Sequence, residues 1–132
     1  WILVEAKAHS YEMKSSCGAE EHGGLPRIRE ALQCAKSALG VAEDRDWLNG
    51  YYQFANRVAT LQFLEMHDVR AHLLFIYLCG DSELGKDNAK HPLSEDGWTE
   101  AWKQQDEHIG LPDGHDLASR IHKVTLPVYP VG

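Results

Sequence analysis

The chain has 132 residues, 43% of them apolar, four Trp, and a formal net charge of −7. That is enough for one domain with a real core, and it excludes a disordered chain. The acidic balance excludes a protein that coats nucleic acid by bulk charge, although a bound metal ion or a local basic patch can still supply positive charge at one site.

Residues 2–8 read as a strand that begins with the apolar run Trp1-Ile2-Leu3-Val4. Side chains alternate faces along a strand, so Glu5 and Lys7 project to one side, roughly 7 Å apart, with Val4 and Ala6 on the other. The chain opens inside this strand, and further strands are expected upstream of Trp1. Residues 10–25, with Ser15-Ser16-Cys17-Gly18 and Gly23-Gly24, read as a loop that can move. Pro26 suits the first turn of a helix over about 26–39, where its missing N–H costs nothing. The stripe of that helix is Ile28, Ala31, Leu32, Ala35 and Leu39, and Gly40 ends it.

A second helix is predicted over about 46–67. Trp47, Tyr51, Phe54, Ala55, Val58, Leu61 and Leu64 form its buried face, and Gln53, Asn56, Arg57 and Thr60 a polar stripe. His72 to Cys79 is almost continuously apolar, which suits a strand covered on both faces. A polar loop follows over 81–93. Ser94 can cap a third helix with Trp98, Ala101, Trp102 and Gln105 along one side. Val124, Leu126 and Val128 then alternate with Lys123, Thr125 and Pro127 in a last strand, which Pro127 makes an edge or an irregular one. The order predicts one α/β domain over 1–132: a central mixed, partly parallel sheet flanked by helices, its N-terminal part lying upstream of this chain.

Cys17, Cys34 and Cys79 are odd in number and form no Cys-x-x-Cys pair, which points to free thiols in a reducing, cytoplasmic setting. Cys34 and Cys79 are expected as core fillers. No apolar run approaches the roughly 18 residues of a membrane span, and no signal peptide is visible. None of the eight His residues sits at a recognised ligand spacing, so a structural zinc site is not expected.

Three groups of residues can carry chemistry. Glu5 and Lys7 share one strand face: a carboxylate can hold a divalent metal that activates water, and a nearby ammonium can stabilise a developing anion. The bland alternative is a surface ion pair. Gln53, Asn56 and Arg57 lie within one helical turn and can hold a phosphate, a metal-bound water or a catalytic carboxylate, the plain alternative being a solvated helix face. Tyr52 joins them as a substrate contact. In the loop after the first strand, Glu12 can add a second carboxylate to the metal, and His9 continues the face of Glu5 and Lys7.

Val4-Glu5-Ala6-Lys7, on a core strand followed by a helix bearing Gln53, resembles the PD-(D/E)XK, or restriction-endonuclease-like, nuclease superfamily. The segment Tyr51-Tyr52-Gln53-Phe54-Ala55-Asn56-Arg57 is similar to the glutamine-bearing helix of RecB-like members, and strand 72–79 to the strand after it. The likeness covers about residues 1–80, and the wording of these segments is also similar to that of small bacterial proteins of this type. It implies a Mg²⁺- or Mn²⁺-dependent nuclease acting on nucleic acid, DNA above all, with Glu5 as metal ligand, Lys7 as catalytic lysine and Gln53 as auxiliary site residue. A homodimer is compatible with it. The superfamily's other metal-binding Asp belongs on a strand before Trp1. Without it, the same fold would be an inactive module binding nucleic acid or a protein partner.

Overall fold

The structure, a computed structural model, describes residues 1–80 and 92–128. Its centre is a parallel sheet of three strands: β1 (Ile2–Lys7), β2 (His72–Cys79) and β3 (Ile121–Pro127), in the order β1-β2-β3. Three helices join them: α1 (Leu25–Leu39) and α2 (Tyr52–Met66) between β1 and β2, and α3 (Asp96–Ile109) between β2 and β3. The α/β class therefore stands, but the described sheet is parallel throughout and not mixed. Most of the polar loop expected over 81–93 lies outside the described residues.

Strand order decides where the helices go. Both crossovers step in the same direction across the sheet, and right-handed crossovers stepping one way lay their helices on one face. The core sits there. Leu73, Phe75, Tyr77 and Cys79 of β2 point into it, Phe54 of α2 stacks on Phe75 with ring centroids 4.8 Å apart, and Trp98 of α3 lies 4.9 Å from Tyr77. Helix α1 packs outside α2 and buries Leu32, Ala35 and Leu39. The expectation that β2 is covered on both faces is overturned. Its burial alternates residue by residue, and on the far face Ile2 is 66% and Val4 56% exposed, with Val124 and Leu126 also open. A sheet covered on both faces would need crossovers that reverse direction, and none does among the described strands.

Two local expectations also change. Helix α2 begins six residues later than position 46. The Asp46 carboxylate accepts the N–H groups of Leu48 and Asn49, each at 3.0 Å, closing a side-chain turn that competes with helix. Gly50 then adopts φ +81°, which a helix cannot continue through. Trp47, expected on the helix, instead plugs the core and donates its indole N–H to the Ile109 carbonyl at 2.9 Å. Cys34 turns outward and is exposed, whereas Cys79 is buried as expected.

The segment after β1 is ordered by specific bonds. Ser10–Met13 forms a 3₁₀ turn, and Ser15 bridges to Tyr51. Among the described residues no helix is long and apolar enough to cross a membrane.

Candidate functional site

Glu5 and Lys7 sit on the helix-covered side of β1, as their two-residue spacing requires. The side-chain exposures are 11% for Glu5 and 13% for Lys7. The start of α2 crosses above them. Gln53 and Arg57, four residues apart, share one helical stripe and both reach down to this strand. The Lys7 ammonium lies 2.8 Å from Glu5 Oε1 and donates to Gln53 Oε1 at 2.7 Å. Arg57 Nε donates to Glu5 Oε2 at 2.8 Å from a position 44% exposed. Two cations against one carboxylate leave the cluster with one net positive charge, in a chain that is otherwise acidic.

The geometry is held from outside the cluster. Ser15 accepts the Tyr52 N–H at its carbonyl and the Gln53 N–H at its hydroxyl, at 3.2 and 2.9 Å. Those amides belong to the first turn of α2, where N–H groups have no partner within the helix. Ser15 thereby fixes where the helix starts and so where Gln53 points. Lys7, the last residue of β1, pairs with Tyr77 of β2. Lys7 thus stands at the carboxyl end of β1, with Glu5 one pleat earlier on the same face. Burial pushes the Tyr77 hydroxyl well above its usual range; the Gln105 side chain works against that rise, and the Asp106 and Glu5 carboxylates add to it. Tyr77 is therefore a neutral phenol.

The other expected residues make different contacts. Glu12 Oε2 accepts the backbone N–H groups of Ala8 and His9, both at 2.8 Å, and this carboxylate oxygen closes the turn after β1. The strand has ended by His9, so the alternation with Glu5 and Lys7 stops. His9 is buried and stacked on Tyr11 with centroids 5.2 Å apart. Asn56 and Thr60 face α1 and line an apolar groove with Ile28, Leu32 and Phe63. Tyr52 is half-buried; burial, then the neighbouring Cys17 thiol, push its hydroxyl upward against the opposing charge of Arg57. Of the residues read from the sequence, Glu5, Lys7, Gln53 and Arg57 come together. Sequence reasoning missed Ser15, whose role needs a contact 38 residues away. It also missed Tyr77, which the period-2 pattern of β2 places on the same face as Phe75.

Among the described residues, no group of three or more His, Cys, Asp or Glu is placed to hold a metal ion. No family model matches the chain, and neither a curated protein nor a solved structure matches it.

Proposed function

We propose that this chain is a metal-dependent nuclease-type domain that hydrolyses phosphodiester bonds of nucleic acid, DNA in the first instance, at Glu5, Lys7 and Gln53. One observation carries the reading: the Lys7 ammonium lies between two oxygen acceptors, Glu5 Oε1 at 2.8 Å and Gln53 Oε1 at 2.7 Å, supplied by two elements locked together. The ammonium stands in for a cation there. Hard divalent ions take carboxylate and amide oxygens, and Mg²⁺ is commonly held by one or two carboxylates with water and substrate phosphate completing the shell. Glu5 and Gln53 would hold Mg²⁺ or Mn²⁺. The ion supplies an acidified water and charge neutralisation at the phosphate.

The remaining steps belong to the chain's own groups. Lys7, half released from the carboxylate, donates to a phosphate oxygen as its negative charge grows. Arg57 is the most exposed of the three charged groups, and its planar fork suits a flanking phosphate. Tyr77, neutral beside Lys7 on the neighbouring strand, adds no competing charge.

One observation favours the alternative, a module of the same architecture that binds nucleic acid or a protein partner without cutting it. Both Glu5 oxygens are already paired with cations, and the net charge left over is that of a phosphate receptor.

Calorimetric titration with Mn²⁺, on the intact protein and on Glu5→Ala, tests the choice together with cleavage of labelled DNA and RNA. Binding and cleavage that both disappear in Glu5→Ala support the nuclease. No metal uptake, with salt-sensitive oligonucleotide binding that Arg57→Ala weakens, supports the binding module. Neither cleavage nor oligonucleotide binding overturns both.

A further inference from the structure

The sheet face turned away from the helices carries two imidazoles. His72 opens β2 and alternates with the buried Leu73, while His122 in β3 stands opposite Leu74. The parallel register makes the two histidines diagonal neighbours on that face, although 50 residues separate them in the chain. His72 Nδ1 and His122 Nε2 are 3.1 Å apart, and the rings stack with centroids 5.3 Å apart.

That separation has a coordination meaning. Two neighbouring nitrogen ligands on a metal at about 2.0–2.1 Å, subtending roughly 90–109°, lie about 2.9–3.4 Å from each other. The pair falls inside this window before any ion binds. Both side chains rise from paired strand backbones, so little ordering remains to oppose binding. Without an ion, two facing ring nitrogens at this distance share one proton, one donating and the other accepting. Coordination uses a lone pair on each facing nitrogen, and the bridging proton moves to the other ring nitrogen of the imidazole that carried it, so both rings stay neutral.

We propose that His72 and His122 chelate one borderline transition-metal ion of the Zn²⁺, Ni²⁺ or Cu²⁺ type, with water in the remaining positions. Imidazole selects these ions over Mg²⁺ and Ca²⁺, which prefer oxygen. The site lies on the opposite face of the sheet from Glu5 and Lys7, and it does not depend on the nuclease reading.

The test is calorimetric titration of the whole chain with Zn²⁺ in a non-chelating buffer containing excess Mg²⁺, for the wild type, His72→Ala and His122→Ala. Far-UV circular dichroism confirms that the variants fold. The expected result is one Zn²⁺ per wild-type chain and an affinity at least ten-fold lower in each variant. Long-range ¹H–¹⁵N spectra of the wild type supply a readout that needs no variant: Zn²⁺ should shift both His72 Nδ1 and His122 Nε2. Absence of stoichiometric uptake, uptake unchanged in either variant, or shifts that leave these two nitrogens unmoved would overturn the proposal.

Discussion

Removing Glu5 probes the strand–helix cluster most directly. Glu5→Ala takes away both ion pairs at once and leaves the Lys7 ammonium, 13% exposed, with Gln53 Oε1 as its remaining partner. Stranding a largely buried charged group costs about 1–3 kcal/mol. The Arg57 arm reaches from a position 44% exposed, where water and salt screen it, and adds about 0–1 kcal/mol. The expected loss is therefore about 2 kcal/mol, dominated by Lys7. The companion variant, Glu5→Leu with Lys7→Met, removes both charges and keeps the volume. Its stability should return to within about 1 kcal/mol of wild type, or exceed it, because replacing a buried pair by apolar groups is often neutral or favourable. Urea unfolding, read as a midpoint shift at constant slope, measures both. A Glu5→Ala loss below about 0.5 kcal/mol, the range of an ordinary surface change, would refute the burial argument. A double variant less stable than Glu5→Ala would refute the claim that the pair contributes little net stability. If both expectations hold, the charges are retained for what they do at the site and not for the fold.

Two further tests address other parts of the molecule. Lys36 is buried on α1, and its ammonium donates to the carbonyls of Glu43 and Arg45 at 2.7 and 3.0 Å; Lys36→Met should cost about 1–3 kcal/mol in urea unfolding, and a change near zero would mean that water replaces the ammonium freely. His115 is held below its ordinary value of 6.5 by burial, against the opposing pull of Asp116, and its Nδ1 accepts the Leu117 N–H at 3.2 Å. The unfolded chain therefore takes up this proton first, so the contribution is whole above about pH 6.5 and is lost as pH falls through the lower folded value. The melting temperature of His115→Asn, whose side-chain oxygen can still accept that N–H, should fall less steeply than wild type between pH 7.5 and 5; parallel curves would dismiss the assignment.

Much of the secondary structure was legible because its causes are local. The apolar run of β2, the stripe of α1 and the alternation of β3 are properties of neighbouring residues, and the elements appear where those periods place them. The side-by-side placement of Glu5 and Lys7 follows from the strand period alone, and that of Gln53 and Arg57 from the helix period. Local competition was harder to read. Asp46 looked like the start of a helix, yet its carboxylate closes a turn on Leu48 and Asn49, and Glu12, offered as a second carboxylate, accepts the N–H groups of the adjacent turn. In both cases a side chain satisfied nearby N–H groups, which a pattern of residue types does not reveal.

By itself, then, the sequence determined the α/β class, the main strands and helices, and two polar pairs with their spacing. Only the tertiary structure decided that the pairs meet. It required α2 to cross β1 with Ser15 setting its first turn, so that Gln53 and Arg57 close on Lys7 and Glu5. Strand order likewise decided that all the described helices share one face of the sheet, and register brought His72 to His122. Strand order and register are set by pairing between residues tens of positions apart. Local periodicity carries no record of which strand lies beside which, and so no record of what meets across them.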